Sequence, residues 1–325
     1  MRNIFKKREN LFPQEYPELL AFVDAINKSY WLHSKWDFQA DVSEYNFNLT
    51  YKEREIVRKT LLAIAQIEVK VKTFWGDLYK HFPKPEINSV GASMAESEVR
   101  HERAYSSLLE KLKLEGDFEK LLDVPEVAGR LEYLNKYLKY SGSANPIQYT
   151  SALILFTLFI ENSSLFGQFS IFKIINKERN VLKDIDNVII DTTKEENIHS
   201  LLGATLIKII KEENPDWFTD ELNDWVIESA KKAFEAESKI VDWIFSEGEE
   251  DYLKKSTIKN YIKHRLNISL EMVEIEPIFQ VDDNELSKLD FFEVEQNVTI
   301  HVDFFHKKNP NYNKQSRIID TNELF

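Results

Sequence analysis

From Tyr51 onward the chain carries apolar residues at intervals of three and four, with Ile56, Leu61, Ile64, Ile67, Val71 and Phe74 recurring across residues 51–80. That spacing gathers them on one face of a helix, and Thr50 stands where an N-cap is needed. Pro83 and Pro85 end the stretch. The pattern then predicts a second helix over residues 89–112 and a third over residues 125–139, the latter opening on a proline whose fixed φ suits a first turn. SGSANP at residues 141–146 reads as a turn. After it, ALILFTLFIENSSLFGQFSIFKI is apolar on nearly every side and predicts a helix, reaching about residue 175, enclosed by others in a bundle. Further helices are predicted over residues 192–212, broken by Asn214-Pro215, then over residues 219–245 and 256–270. Beyond Leu270 the periodicity fades, and residues 311–325 stay polar until the last two, as in a mobile tail. No repeat of solenoid length interrupts this order. The expected organisation is one domain of long helices over residues 1–310 followed by a flexible tail over residues 311–325.

Composition sharpens this to an all-α fold. Apolar residues make up 43% of the 325 positions and charged residues 30%, while Gly and Pro occur only 8 and 9 times. A net charge of -13 argues against general nucleic-acid binding, which favours a surface rich in Lys and Arg. With no cysteine, disulfides, thiolate metal sites and thiol chemistry are excluded. The N-terminal MRNIFKKRENLFPQEY is basic without a continuous apolar core, and the apolar run over residues 151–160 is too short to span a bilayer and meets Glu161 at once. A cytoplasmic protein without membrane attachment is the expectation.

Two Glu-x-x-His pairs fall within predicted helices, Glu98 with His101 and Glu196 with His199. The i,i+3 spacing turns both members of each pair to one face, offering an oxygen and a nitrogen ligand to the same region. Glu68, in LLAIAQIEVKV, and Glu161, in LFTLFIENSSLF, sit in apolar helix settings. A carboxylate there carries a desolvation cost of several kcal/mol unless it is paired, protonated or metal-bound. Four helices supplying Glu, Glu-x-x-His, Glu and Glu-x-x-His form the arrangement expected for a two-metal carboxylate site in a helical bundle. Two divalent ions balance four carboxylates, and the imidazoles suit iron or manganese. The competing readings are a surface Glu68 paired with Lys72 and a protonated or ion-paired Glu161.

Tyr105 follows His101 by one helical turn, which brings a phenol toward the metal nearest that histidine. Glu195 precedes Glu196 and faces elsewhere, so it can accept the outer N–H of a ligand imidazole. Phe166 and Phe169 are candidates to wall the site from water.

These residues resemble the small subunit of class I ribonucleotide reductase over nearly the whole chain, from Tyr30-Trp31 to the C-terminal tail. The resemblance implies a ferritin-like bundle with additional helices and metal ligands Glu68, Glu98, His101, Glu161, Glu196 and His199. It also places Tyr105 at the family's radical tyrosine, Trp31 on the electron-transfer route and Glu195 between Trp31 and a ligand histidine. HVDFFHKKNPNY is similar to the family's stretch before the tail, which implies Tyr312 as the redox tyrosine at the subunit boundary, and NELF looks like the anchor for the large subunit. Two departures stand out: Glu68 replaces the aspartate of many members, and His306 stands where glutamate is common. The sequence is most similar to the branch in which a dimanganese centre itself stores the oxidant and the tyrosine stays reduced. The implied cofactor is a dinuclear metal centre, dimanganese first, with diiron or mixed manganese/iron as alternatives. The implied activity is to generate one oxidising equivalent and deliver it by proton-coupled electron transfer to the large catalytic subunit, where ribonucleoside diphosphates are reduced. A homodimer is expected. The alternatives are a free-standing ferritin-like oxidase or oxygenase, and a metal-storage protein.

Overall fold

A computed structural model describes residues 2–300 of the chain. Four long helices form the centre: α3 (Tyr51–Gly76), α4 (Pro85–Leu112), α6 (Pro146–Arg179) and α7 (Lys183–Glu213). Around them lie α1 (Leu20–Ser29), α2 (Gln39–Phe47), α5 (Pro125–Leu138), α8 (Asp220–Ile244), α9 (Lys255–Glu271) and α10 (Asp290–Ile300). The α3–α4 pair packs closely, α1 lies across α4 and α7, and α9 covers the middle of α6. No β-sheet forms among the described residues; an isolated bridge joins Glu250 and Leu253. The result is an all-α, ferritin-like bundle.

Local chemistry accounts for the main boundaries. Thr50 Oγ1 accepts from Glu53 N while Glu53 returns a hydrogen bond to Thr50 N, closing a capping box that starts α3. Pro85 opens α4 four residues before the predicted start, as an N1 proline can. The first long helix ends at Gly76 and gives way to a short turn, Leu78–His81. The largest shift concerns α7, which begins at Lys183 rather than at residue 192. Its first turn is held from a distant element: Asp41 of α2 accepts from Asp184 N at 3.3 Å and Ile185 N at 2.7 Å, and Glu44 accepts from Leu182 N at 2.6 Å. Burial raises the Asp41 carboxyl to about 6, against the lowering effect of these backbone donors. After Leu270 the chain forms two more helices, Asp283–Ser287 and α10, where fading periodicity predicted none. Arg265 of α9 reaches Gln296 of α10 at 3.1 Å, which anchors that last helix.

By length and composition α6 could cross a membrane, but its most apolar window lies wholly inside the protein. It is the central core helix. Its middle, Phe156–Ser164, is π-helical. The wider winding displaces backbone carbonyls, and hydroxyls meet them: Ser163 Oγ donates to Leu158 O at 3.0 Å, Ser164 Oγ to Phe159 O at 2.7 Å, and Ser269 Oγ of α9 also to Leu158 O at 2.7 Å. Arg265 completes the support, donating to Asn162 O at 3.0 Å and to Asn162 Oδ1 at 2.5 Å. On the opposite side α7 approaches so closely that a Cβ on Gly203 would lie 2.1 Å from Thr157 Oγ1. Glycine is required there for the helices to meet.

Candidate metal centre

Glu161 occupies the π-helical segment, and three neighbouring helices aim their own acids and imidazoles toward it. Glu98, Glu161, Glu196 and His199 bring ligand atoms within 4.8 Å of one another, as do Glu68, His101 and Glu196. Glu196 belongs to both groups, which places two adjacent positions side by side. All six side chains are at most 1% exposed. Lys72 pairs with Glu102, leaving Glu68 to the interior.

Both imidazoles turn Nδ1 inward. His199 Nδ1 lies 3.0 Å from Glu98 Oε1, 3.2 Å from Glu161 Oε2 and 3.5 Å from Glu196 Oε2. His101 Nδ1 lies 3.1 Å from Glu196 Oε1 and 3.3 Å from Glu98 Oε2. Several of these atoms nonetheless lack a hydrogen-bond partner with proper geometry: both oxygens of Glu68, both of Glu98, Oε1 of Glu196 and Nδ1 of His101. Buried acceptors converging without donors are the chemistry of a cation site, and the four carboxylates with two nitrogens fit two divalent ions of the iron or manganese type.

Charge repeats the pattern. Burial, reinforced by Glu98 and Glu196, pushes the Glu68 carboxyl well above its ordinary value, and burial does the same to Glu161 beside Glu196 and Glu98. Burial alone would also raise Glu196, but the facing imidazoles of His101 and His199 hold it well below the usual range. Both imidazoles are raised well above their ordinary value despite burial, through the carboxylates around them.

The outer nitrogens differ. His101 Nε2 meets Glu195 Oε2 at 2.9 Å, and Glu195 also accepts from Trp31 Nε1 at 3.1 Å, Ser29 Oγ at 2.9 Å and Arg100 at 2.9 and 3.0 Å. Burial opposes ionisation of Glu195, but His101 and Arg100 together lower its carboxyl below the ordinary value. Trp31 stacks on His101 with ring centroids 6.1 Å apart and planes inclined by 19°. Behind His199 stands Ser97 at 2.8 Å. The Ser97 hydroxyl donates to Met94 O at 2.7 Å, so its oxygen is left to accept from His199 Nε2–H. When the imidazole is neutral, as metal binding requires, either arrangement keeps the proton on Nε2 and the Nδ1 lone pair inward.

Tyr105 is buried, and its hydroxyl donates to Thr192 Oγ1 at 3.3 Å. Burial and the nearby Glu68 charge push its phenol upward. Phe166 and Phe169 are fully buried and pack on each other, with the Arg265 guanidinium 3.7 Å above the Phe166 ring. Tyr312, His306 and the NELF terminus lie outside the described residues.

Sequence reading did not find Ser97, Arg100 or Trp75. Trp75 Nε1 donates to Glu161 Oε1 at 3.0 Å, and its ring lies 5.7 Å from that of His199. Its place seven residues after Glu68, two helical turns along the same face, was the available signal. Ser97 and Arg100 flank the ligand pair Glu98 and His101 but oppose partners on other elements, which local sequence does not reveal.

Comparison with known proteins agrees with this architecture. The family profile described as "Ribonucleotide reductase, small chain" matches residues 8–285. A probable ribonucleoside-diphosphate reductase small subunit of Invertebrate iridescent virus 3 is 24% identical over 95% of this chain and 85% of its own. The ribonucleoside-diphosphate reductase subunit beta of Treponema pallidum is 19% identical over 94% of this chain and 88% of its own. Among solved structures, the ribonucleotide reductase R2 subunit from Clostridium botulinum superposes with a TM-score of 0.77 at 16% identity, covering 89% of this chain and 91% of that one. The dimanganese(II)-NrdF of Streptococcus sanguinis gives 0.73 at 15% identity, covering 87% of this chain and 97% of that one. A variant R2-like ligand-binding oxidase with a reconstituted Mn/Fe cofactor gives 0.69 at 13% identity, covering 81% of this chain and 95% of that one.

Proposed function

Because the chain belongs to the ribonucleotide reductase small-chain family, we propose that it generates one strong oxidising equivalent and delivers it to a large catalytic subunit that reduces ribonucleoside diphosphates. The observation that carries this reading is the buried line from the acid and imidazole cage to Trp31. His101 faces the cage with one nitrogen and Glu195 with the other, and Glu195 grips the Trp31 indole.

Glu68, Glu98, His101, Glu161, Glu196 and His199 would hold two metal ions, dimanganese first, with diiron or manganese/iron as the other pairings. Oxidised by dioxygen or superoxide, such a pair supplies a one-electron oxidant of high potential. The protein's residues determine where that oxidant is used. Glu195 fixes His101 and accepts the Trp31 N–H, while Arg100 neutralises Glu195 so that this acid remains a carboxylate inside the core. Trp31 passes an electron inward and draws one from the partner side, through Tyr312 in the tail. Residues 311–325, ending in NELF, would dock on the large subunit. Two copies of the chain would form the working dimer, in the cytoplasm.

The surroundings of Tyr105 support storage on the metals rather than on the phenol. Its hydroxyl donates to a neutral threonine, a poor acceptor for the proton that phenol oxidation must release. The test pairs the manganese-loaded, superoxide-treated chain with a ribonucleotide reductase large subunit. A multiline signal from a coupled manganese pair in electron paramagnetic resonance, deoxyribonucleotide formation only when both chains are present, and loss of that turnover in Trp31→Phe with metal content intact are the expected results. A tyrosyl signal would move storage to Tyr105. Turnover of a small molecule without the large subunit would instead identify a free-standing oxidase.

A further inference from the structure

Beside His199 and Glu161, a second chain of aromatic rings leaves the cage. Trp75 contacts Phe74 and Phe156 edge-on, with centroids 5.8 and 5.4 Å away. Phe74 and Phe156 stack at 3.8 Å, and Phe74 stacks in turn on Tyr149 at 6.0 Å. Tyr149 lies flat against His81 at 3.5 Å, and both line a surface pocket of about 470 Å³ beside Lys80 and Pro146. Trp75 and Tyr149 are at most 1% exposed, and the Tyr149 hydroxyl, alone among its neighbours in this stack, is a buried polar group with no hydrogen-bond partner. A buried hydroxyl left without a hydrogen-bond partner costs stability, so packing alone would favour phenylalanine at this position.

We propose that Trp75 and Tyr149 form a second electron route, which discharges the oxidised centre to the surface near His81 when no large subunit accepts the oxidant. This inference rests on the proposed function, because the oxidant is the oxidised metal pair. In the first step the Trp75 indole loses one electron to that pair, which is thereby reduced by one electron. The resulting indole cation radical keeps its proton and is stabilised by the Glu161 carboxylate that accepts its N–H, an attraction strengthened by the dry surroundings. In the second step Tyr149 loses one electron across Phe74 to the Trp75 radical, restoring neutral indole, and the phenolic proton is lost to the pocket that the Tyr149 side chain lines once water reaches its buried hydroxyl. Phenylalanine is too hard to oxidise to hold the charge, so Phe74 and Phe156 serve as a bridge. The net change is one electron gained by the metal pair, one proton released to solvent and a radical on Tyr149, where exogenous thiol or ascorbate can repair it. Trp31 and Trp75 thus address opposite imidazoles, one leading toward the partner and the other toward solvent.

The test uses the full chain, loaded with manganese, treated with superoxide and kept without a large subunit. Decay of the manganese signal is followed by electron paramagnetic resonance, and oxidised side chains are located by peptide mass spectrometry. Tyr149→Phe should slow the decay about tenfold and shift oxidation products to Trp75, as expected when a relay is removed and the barrier rises. Trp75→Phe should slow it similarly and leave Tyr149 unmodified. Where Trp75→Phe loses metal, Tyr149→Phe, which removes an unpartnered hydroxyl, decides the matter. Decay unchanged from the parent chain in Tyr149→Phe, or Tyr149 still modified in metal-loaded Trp75→Phe, would overturn this route alone. Two bound ions that form no oxidised signal in any variant would overturn the proposed function and the route together.

Discussion

Ser97 and Glu195 stand behind the two imidazoles in similar roles, but only Glu195 is charged. A carboxylate draws the His101 N–H more strongly than a hydroxyl draws that of His199, so His101 is the more basic ligand. The two metal positions are therefore electronically unequal before any ion binds. Glu195→Gln keeps the shape and removes the charge. It should weaken metal retention or partner-dependent turnover by about 10–100-fold, measured by competitive chelation and by deoxyribonucleotide formation. Ser97→Ala strips the hydroxyl that accepts the buried His199 N–H and should lower unfolding stability by about 1–3 kcal/mol in a denaturant titration of the metal-free chain. The six acid and imidazole positions were legible in the sequence because charged groups at helical spacing inside apolar runs need an explanation. Ser97, Arg100 and Trp75 were not, since serine beside glutamate, arginine beside histidine and tryptophan in an amphipathic helix are each ordinary until the facing helix is known.

The helices were legible wherever the chain carried its own start and stop signals. Thr50 with Glu53, and Pro125 at a first turn, act through neighbours and can be read locally, whereas Pro85, read as a stop, in fact opens α4. The first nine residues of α7 could not, because Asp41 and Glu44, more than a hundred residues away, cap them. The π-helical winding of Phe156–Ser164 was equally hidden, since its carbonyls are satisfied partly by Ser269 and Arg265 on α9. This winding matters because it sets the angle at which Glu161 enters the cage, and it leaves no slack against α7 at Gly203. Gly203→Ala should force α6 and α7 apart at a point four residues from His199. The expected cost is about 1–3 kcal/mol of stability, together with reduced metal stoichiometry, read by thermal unfolding and elemental analysis of the same sample.

Over the whole molecule, the cage makes stability depend on pH in opposite ways with and without metal. Glu68, Glu161, His101 and His199 hold protons more tightly in the folded metal-free chain than ordinary groups do. Their contribution is therefore full at low pH and is lost as pH rises through the raised values, with Glu196 running the other way. Metal ions require ionised carboxylates and neutral imidazoles, so loading releases protons and tightens as pH rises. The gap in Tm between loaded and chelated protein should widen between about pH 6 and pH 8, and calorimetry in buffers of different ionisation heat should register the proton release. A gap that narrows would contradict the proton inventory of the cage.

Closure of that cage has a further consequence in time. With every ligand at most 1% exposed, an ion can leave only when helices part, and such openings are rare in a packed core. Iron and manganese exchange would then be slower than the working life of the protein, and chain preloaded with one metal should retain it for hours in an excess of the other. Which metal the protein carries becomes a record of what was at hand when the bundle closed, a matter of history rather than of equilibrium preference.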